Sequence, residues 1–393
     1  MAPALTSPSP SAPDTLSNPT TATTKKAPKS IFPDGIRTSG QHEPIYSLLQ
    51  PYSAFPKEIT GPTAWSKTDY ASNPERWTHI FSADEVREMS EAANAFIASG
   101  TPLTGITKDL FPLPNFSKFL EPLRKELIDG KGFILFKGMP VEQWGNQKSA
   151  VAYMGLGTYL GYFVSQNSRG HVLGHVKDLG EDATAIDKVR IYRTNARQFF
   201  HADDSDLVGL LCVAKALEGG ESDLKYHPDV AELLTQPIWY FDRKGETSVG
   251  QKEWIKTAVF YLETGENPRV YSKFDPYFVR SLTRFSDAGL IPALSEAQER
   301  AITILEETCQ KHALHMILDV GDIQFLSNNH IFHARTAYKD YAPPAPRRHL
   351  MRLWLSTPEG EGGWKLPFHD SNEKKRGGIQ VNDTAPVAPY DAE

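Results

Sequence analysis

The sequence predicts a single α+β or barrel-like domain, with strands in the centre and the C-terminal part and helices packed outside. Three observations predict it. Helix signals concentrate in the first 160 residues and return once near residue 300, strand-like runs fill the middle and the end, and no internal repeat divides the chain. The 393 residues lie within the range of one large α/β or barrel enzyme. The hydrophobic fraction of 40% is enough for a sizeable core.

Helices are predicted from N-terminal caps followed by apolar residues at helical spacing. Ser82 and Glu85 have capping-box spacing at the start of one helix, and Ser295 and Gln298 have it at the start of another. The four predicted helical segments are "SADEVREMSEAANAFIAS", "FSKFLEPLRKELID", "NQKSAVAYMGLGTYLGYF" and "LSEAQERAITILEETCQKH".

Strands are predicted where short apolar, β-branched and aromatic runs are bounded by turn residues. The earliest is "GFILFKGMPV", with a buried strand at 132–137. The later runs are "VRIYRT", "VGLLCVAKAL", "PIWYFD", "TAVFYLE", "ALHMILDV", "DIQFLSNN" and "RHLMRLWLS".

Composition narrows the class of protein. The net charge of −6, with no basic patch, argues against a nucleic-acid partner. No apolar run approaches the ~18 residues of a membrane span, so no membrane partner is predicted. The only cysteines, Cys212 and Cys309, exclude a disulfide scaffold and favour a reducing, cytoplasmic compartment. The predicted partner is a small molecule, and a homo-oligomer stays open.

Four segments are predicted along the chain. Residues 1–30 are rich in Ser, Thr, Pro and Ala and lack an apolar signal core, so they are interpreted as a disordered tail. A transit peptide is the weaker alternative, because this stretch has no Arg. Residues 31–115 are interpreted as a strap and helical extension, 116–357 as the main domain, and 358–393 as a loose polar tail.

A candidate metal motif lies in "FFHADDSDL", where His201 and Asp203 stand two residues apart in an apolar, strand-like run. A strand turns such a pair to one face, where an imidazole and a carboxylate can bind one ion. The alternative is a turn that merely contains several acids. A second His-x-Asp, at His227 and Asp229, contains Pro228, which suits a helix start, and is therefore not favoured.

The third ligand is expected in "GDIQFLSNNHIFHARTAYKDY", at either His330 or His333. Two histidines and one carboxylate form a facial triad with open positions, which suits Fe(II) oxygen chemistry. Zinc hydrolases use similar ligands with one open position. His171 and His175 are four residues apart, but Gly174 intervenes and no His-Glu pair is present, so they are not interpreted as ligands.

An anion site is predicted on "PRRHLMRLWLS", which carries Arg347, Arg348 and Arg352 on a mostly apolar strand. In a regular strand Arg348 and Arg352 share one face. Buried guanidinium groups are costly without anions, and Arg binds carboxylates in bidentate fashion. The alternative is salt bridges to carboxylates of the protein itself.

Three stretches together resemble a known family. "FHADDSDLVGLLCVAKALEGGESDL", "FLSNNHIFHARTAY" and "RRHLMRLWLS" are similar to the taurine dioxygenase (TauD/TfdA-like) group of Fe(II)- and 2-oxoglutarate-dependent dioxygenases, over roughly residues 115–357. The resemblance implies a double-stranded β-helix, or jelly-roll, of the clavaminate synthase type with flanking helices. It also implies Fe(II), 2-oxoglutarate and O₂, and an oxidation, most often a hydroxylation, that releases succinate and CO₂. The pattern looks most like fungal members.

The resemblance also assigns residues. His201 and Asp203 correspond to the first two iron ligands, and His333 to the third, because the family has His, a small residue and Arg at that place. The intact carboxylate of Asp203 argues against the related halogenases, which replace it with a small residue.

The same resemblance assigns the cosubstrate residues. Ser222 in "GGES" stands where the family often has a Thr that contacts 2-oxoglutarate, and Arg348 matches the Arg that pairs with its distal carboxylate. Arg352 matches a second Arg, with a role toward cosubstrate or substrate.

Substrate residues are predicted in the segment before the metal motif. Gln166, Asn167 and Arg197 are the candidates, for a small and anionic organic substrate. Taurine itself is doubtful, because residues 31–115 have no counterpart in the compact taurine enzyme. Two alternatives stay open: a zinc hydrolase with the same ligands, and a non-catalytic jelly-roll binding protein.

Overall fold

A computed structural model describes residues 49–219, 222–225, 231–368 and 370–392, with only the backbone for 222–225 and 231. The predicted disordered tail at 1–30 and the second His-x-Asp motif lie outside the described residues. Among those residues, no helix has both the length and the apolar character needed to cross a membrane.

The described helices include all four that were predicted. Both predicted capping boxes are present, at Ser82 with Glu85 and at Ser295 with Gln298, and a capping bond contributes about 1 kcal/mol to a helix. The helices are α1 Lys67–Tyr70, α2 Ala83–Ala98, α3 Ser117–Asp129, α4 Val141–Gly157, α5 Ala231–Thr235, α6 Pro276–Arg280, α7 Thr283–Asp287 and α8 Glu296–His312.

The strands occupy the centre and the C-terminal half, as predicted. They are β1 Thr78–Ile80, β2 Phe133–Lys137, β3 Tyr162–Phe163, β4 Leu173–Lys177, β5 Gln198–His201, β6 Leu207–Ala214, β7 Glu218–Gly219, β8 Ser222–Lys225, β9 Trp239–Asp242, β10 Trp254–Thr257, β11 Phe260–Leu262, β12 Val270–Ser272, β13 Ile323–Ser327, β14 Phe332–Arg335, β15 Tyr338–Lys339 and β16 His349–Ser356.

The largest sheet has seven strands. Six follow the order β1-β2-β13-β6-β16-β3, and β4 also pairs with β16. The β1–β2 pair is parallel and the other pairs are antiparallel. The chain therefore has a mixed α/β fold built on one dominant sheet.

Strand β16 shows how this sheet separates core from site. Met351 and Leu353 pack into the apolar cluster formed with α2, α3 and α4, whereas Leu350 and Trp354 join the cluster on the opposite face. Burial of each large apolar side chain contributes roughly 1.5–3 kcal/mol. Arg352 shares the face opposite the helices, because side chains two residues apart point the same way.

A three-stranded antiparallel sheet, β5-β14-β8, supplies the second wall. Phe200 of β5 and Phe332 of β14 pack with residues of α8 in one apolar cluster. Helix α8 therefore covers one face of this sheet, and the alternate residues of β5 and β14 face the other way.

Two strand predictions are wrong. "VRIYRT" contains a short 3₁₀ helix at Ile191–Arg193. The segment "ALHMILDV" forms no strand, although Leu314, Met316 and Leu318 are buried in alternation with exposed residues. Its period is that of a strand, but within the described residues Met316 makes only a single bridge and the segment forms no ladder with a described strand.

The segment after Thr357 differs from the loose tail that its polar composition predicted. Trp364, Leu366 and Phe368 form an apolar cluster with Tyr261 and other residues. Arg376 is 0% exposed. The segment has little regular structure, yet it packs on the core, because its few apolar side chains are buried and the buried Arg376 donates to Asp206 and to carbonyls of the segment. The domain division proposed from the sequence remains a prediction.

Candidate active site

The two histidines of the motif come from neighbouring strands. His201 ends β5 and His333 lies in β14, and the antiparallel register places them directly opposite each other. Their ring centroids are 4.2 Å apart. Since the preceding residues, Phe200 and Phe332, pack against α8, strand alternation turns both imidazoles to the opposite face.

Asp203 completes the cluster. Its carboxylate oxygens lie 3.7 Å from Nε2 of His201 and 3.7 Å from Nε2 of His333. One ligand atom from each residue lies within 4.8 Å of the other two, and the structure thus brings together all three predicted ligands. Two imidazoles and one carboxylate form a donor set that a divalent transition metal can bind.

The local contacts keep these donors in the form that binds metal. His201 Nδ1 donates to the carbonyl of Phe199 at 2.9 Å. The lone pair of His201 therefore lies on Nε2, which faces the cluster. The side-chain amide of Gln198 donates to this Nε2. Burial, followed by the neighbouring His201 and Arg352, lowers the pKa of His333 to about 3, so this ring is neutral. Its buried Nδ1 has no hydrogen-bond partner within the described chain.

Asp203 is held as a carboxylate. Burial raises its pKa, but Arg352, the two imidazoles and the Trp354 indole together outweigh burial, and the pKa is lowered. The Trp354 Nε1–H donates to Asp203 at 2.9 Å, and Arg352 Nη1 lies 3.5 Å from the same carboxylate. A charged carboxylate beside the neutral His333 ring suits metal ligation, which requires deprotonated ligands.

A cavity of about 480 Å³, here called the arginine cavity, opens beside the three residues. Arg335, Arg348 and Arg352 line it together with His201, Asp203, His333 and apolar side chains of both sheets. Three buried cations in one enclosed space strongly favour a bound anion.

Arg335 carries the clearest sign of a missing partner. Its Nη2 donates to the carbonyls of Thr194, at 3.0 Å, and Ala196. Its Nε and Nη1 are buried without a hydrogen-bond partner in the described part of the chain. Burial and then Arg348 lower its pKa to about 10. A carboxylate in the arginine cavity would offset the cost of this buried charge.

Arg348 and Arg352 both line the arginine cavity, as the shared strand face predicts. Arg348 lies over the Tyr338 ring, with its guanidinium carbon 5.0 Å from the ring centroid. Arg352 donates from Nε to Gln166 at 2.8 Å. Ser222 lies opposite Arg335 in the β8–β14 register, and its side chain is outside the described part.

A second cavity of about 840 Å³, here called the mixed-charge cavity, lies on the other side of Asp203 and Arg352. Its further charged residues are both basic and acidic, and four of them form two ion pairs, Arg190 with Glu246 and Lys273 with Asp204. The wall is otherwise largely apolar. Its side chains include Ile191, Phe241, Phe274, Phe278, Trp354 and Ile379.

The three predicted substrate residues have different positions. Gln166 lines the mixed-charge cavity. Asn167 does not, and its side-chain oxygen accepts from the backbone of Arg169 at 3.0 Å. Arg197 lies outside both cavities, 43% exposed, and pairs with Glu306 of α8 at 2.5 Å. Regular alternation from Arg197 to His201 fails because β5 begins only at Gln198.

His330 is separate from the three residues. Its ring stacks on Trp364, with centroids 5.6 Å apart and an interplanar angle of 1°. The turn between β13 and β14 directs it away from the face that carries His333. Geometry therefore favours His333 of the two histidines that residue reasoning left open.

Buried His330 predicts a pH dependence of stability. Burial, and then Arg269, lowers its pKa from 6.5 to about 3. The folded protein therefore holds the ring neutral, while the unfolded chain takes up a proton. This contribution to the free energy of unfolding is complete above the unfolded pKa. It is lost as the pH falls toward the folded pKa, by about 2 kcal/mol at about pH 5.

Denaturant unfolding of metal-free protein at about pH 7.5 and about pH 5 measures this effect. On going from the higher to the lower pH, the free energy of unfolding falls. In the variant His330→Phe, which preserves the aromatic stacking, this fall should be smaller by about 2 kcal/mol. His315→Gln, at an exposed position, is the control and should retain the full drop. An unchanged drop in His330→Phe would contradict the burial argument.

Sequence reasoning missed three residues of the site. The sequence analysis used Arg335 only to choose His333 over His330 as the third ligand. Arg335 follows His333 by two residues on the same strand, so its side chain lies on the same face as that of His333. Trp354 stands two after Arg352 and could have been found by the same rule. Gln198 gave no such signal, because only the fold brings its amide to His201.

The fold and the site define a class of protein: a non-haem iron oxygenase with two histidines and a carboxylate. The structure of an asparagine oxygenase bound to Fe(II), (2S,3S)-3-hydroxyasparagine and succinate superposes with a TM-score of 0.54 at 14% identity, over 72% of this chain and 94% of that chain. The oxygenase OrfP with Fe and α-ketoglutaric acid gives 0.53 at 16% identity, over 71% and 93%.

The sequence comparison is more specific. The model of the family "Taurine catabolism dioxygenase TauD, TfdA family" matches residues 99–354. The chain is 26% identical to an FR-33289 synthase of Streptomyces rubellomurinus, over 77% of this chain and 92% of the relative. It is 25% identical to a taurine hydroxylase-like protein, SAT17, of Stachybotrys chartarum, over 77% and 80%.

The chain belongs to the TauD/TfdA family and is an Fe(II)- and 2-oxoglutarate-dependent dioxygenase. This confirms the reaction class and the cofactors predicted from the sequence. It supports neither the zinc hydrolase nor the non-catalytic alternative. Because one relative is bacterial and the other fungal, the fungal assignment remains a prediction.

Proposed function

We propose that His201, Asp203 and His333 hold the iron, and that the enzyme hydroxylates a C–H bond of a small organic substrate. The observation that carries this proposal is the convergence of the three donors on the wall of the arginine cavity, with Asp203 also lining the mixed-charge cavity. The bound iron, with 2-oxoglutarate and O₂, supplies the oxidising power. The protein supplies placement, since reacting groups must be held within about 0.5 Å of the productive geometry.

The arginine cavity is the proposed site of 2-oxoglutarate. Arg348 binds the distal carboxylate, and Arg335, whose buried Nε and Nη1 have no partner among the described residues, adds donors that the sequence reasoning had not assigned. Ser222 and Arg352 remain the other proposed cosubstrate residues. The placement of Arg352, between both cavities and 3.5 Å from Asp203, supports a role in holding the metal-ligating carboxylate in position.

The mixed-charge cavity is the proposed substrate site. Arg190, Arg243 and Lys273 in its wall support binding of an anionic group, and the apolar side chains favour an aliphatic or aromatic body that excludes water. Asp204, Glu246 and Asp275 in the same wall favour a substrate that also carries a hydrogen-bond donor or an amine. Gln166 is kept as a substrate residue. Asn167 and Arg197 have only structural contacts.

The jelly-roll predicted from the resemblance also remains a proposal. It is supported by two sheets, one antiparallel and one antiparallel except for the β1–β2 pair, whose residues both line the arginine cavity. In a double-stranded β-helix the site lies between two such walls.

An anaerobic Fe(II) titration with and without 2-oxoglutarate tests the proposal. We expect the weak visible charge-transfer absorption of this family to appear only with both components. Glutarate, which has both carboxylates but no keto oxygen, is the control and should give no band. Candidate substrates can then be ranked by the shift that each causes in the band. Iron binding without a band in the presence of 2-oxoglutarate would contradict the assignment of the arginine cavity.

A further inference from the structure

The C-terminal segment beyond the family match contributes to the active site. The family model ends at residue 354, yet residues 370–392 continue across the molecule beside the metal-binding residues. Ile379 from this segment lines the mixed-charge cavity together with Asp203 and Trp354. A segment beyond the end of the family-model match therefore forms part of the wall next to Asp203.

An ion pair with no solvent exposure anchors this segment. Arg376 and Asp206 are both 0% exposed, and Arg376 donates to the two carboxylate oxygens of Asp206 from Nε at 2.7 Å and from Nη2 at 3.1 Å. Arg376 Nη1 also donates to the carbonyls of Trp364, at 2.7 Å, and Ser371, at 2.8 Å. The guanidinium thus joins several parts of the C-terminal segment to one carboxylate.

Asp206 belongs to the loop that carries the metal ligand Asp203. Two further hydrogen bonds join Asp206 to the residues that directly follow β16 and β13. Its Oδ2 accepts from the Thr357 amide at 2.7 Å, and its backbone carbonyl accepts from the Asn328 amide at 2.8 Å. Two residues further along the C-terminal segment, the Gly378 amide donates to the carbonyl of Asp204 at 2.6 Å. The loop 203–206 is therefore held by hydrogen bonds at Asp204 and at Asp206.

Gly378 shows how close this approach is. Its φ of +74° lies in the left-handed region, and a Cβ built there would be 2.8 Å from the Val164 side chain and 2.9 Å from the Ser165 carbonyl. The next residue, Ile379, donates its amide to that same carbonyl at 2.7 Å. A larger residue at 378 would push the segment off the loop.

We propose that Arg376 is a positioning residue that fixes loop 203–206, and through it the Asp203 carboxylate, in the geometry that binds iron. The inference rests on the proposed role of Asp203 as an iron ligand. Loss of the guanidinium leaves the Asp206 carboxylate buried without its charge partner, so the loop must rearrange to reach water. The Asp203 carboxylate then loses its fixed position.

The test is an anaerobic Fe(II) titration of the full chain at saturating 2-oxoglutarate. For Arg376→Gln we expect the Fe(II) Kd to rise about 10- to 100-fold, as for other groups that orient metal ligands. Arg376→Lys keeps the positive charge but loses the paired donors of the guanidinium. Its Fe(II) Kd should lie between that of the unmodified protein and that of Arg376→Gln. The control is Arg269→Gln, which removes a 30% exposed guanidinium that lies over the Trp364 ring of the C-terminal segment and pairs with Glu263 at 2.5 Å and with Asp129 at 2.7 Å, away from both cavities.

Hydrogen exchange of residues 203–206 provides a second readout, and it should accelerate in Arg376→Gln but not in Arg269→Gln. If Arg376→Gln does not fold, Asp206→Asn, which keeps the side-chain shape, is measured in its place. Thermal stability is measured for each variant. If Arg376→Gln, or Asp206→Asn in its place, loses as much thermal stability as Arg269→Gln but leaves the Fe(II) Kd unchanged, the inference is overturned. Failure of the unmodified protein to bind Fe(II) would instead refute the proposed iron site, so the two failures are distinguishable.

Discussion

Replacement of His333 by Ala is expected to raise the Fe(II) Kd by at least about 100-fold and to abolish 2-oxoglutarate consumption. Groups that merely orient a metal ligand already contribute 10- to 100-fold, so loss of a ligand should exceed that. Anaerobic Fe(II) titration and succinate release measure the two effects. The His333 ring needs no proton to be removed before it binds, because burial holds its pKa at about 3.

The matched control is His330→Phe. His330 and His333 are three residues apart, both are buried, and burial lowers the pKa of each to about 3. Only His333 lies within 4.8 Å of the other two donors. His330→Phe should therefore retain iron binding and turnover. The opposite result, with His330 essential and His333 dispensable, would show that the third ligand has been assigned to the wrong strand position.

Replacement of Arg348 by Gln is expected to weaken 2-oxoglutarate binding by about 2 kcal/mol or more, which is about 30-fold or more in Kd. Arg348 is buried, and no water can replace its two parallel donors to a carboxylate. Iron affinity without 2-oxoglutarate should be nearly unchanged, because Arg348 does not contact the three ligands. Titration of 2-oxoglutarate into the Fe(II) protein, followed by the charge-transfer band, gives the Kd.

The adjacent Arg347 offers the control. Its side chain is 47% exposed and donates to the carbonyl of Asp178 at 2.7 Å, outside the arginine cavity. Arg347→Gln should change the Kd of 2-oxoglutarate by less than about 3-fold, as expected for a surface charge. Equal effects of the two substitutions would mean that the distal carboxylate is bound elsewhere, with Arg335 as the first alternative to test.

Local patterns determined most of the secondary structure. The capping boxes at Ser82 and Ser295 mark helix starts correctly, because a cap is satisfied within one turn and needs no distant partner. Strand assignment depends on more than local pattern. Residues 313–320 have the alternation of a strand but form no ladder with a strand in the described part of the chain, and only the arrangement of other segments decides whether a partner is present.

The site divides in the same way. His-x-Asp, the distal His-x-Arg and the paired arginines could be found along the chain, because strand alternation places residues i and i+2 on one face. The family resemblance then assigned their chemistry. Arg197 was misplaced because its position depends on where β5 begins, which hydrogen bonds between strands decide.

From the sequence alone, residue types at short spacing determined the His-x-Asp pair and two candidates for the third ligand, and the family resemblance supplied the reaction class, the cofactors and the choice of His333. Only the tertiary structure decided that Arg335 has donors without partners in the arginine cavity, and that His330 stacks on Trp364 away from the metal ligands. It also decided that the polar C-terminal segment contacts the loop of Asp203 through the ion pair of Arg376 with Asp206. These contacts join residues far apart in the chain, and their free energy comes from burial and charge pairing that no local pattern encodes.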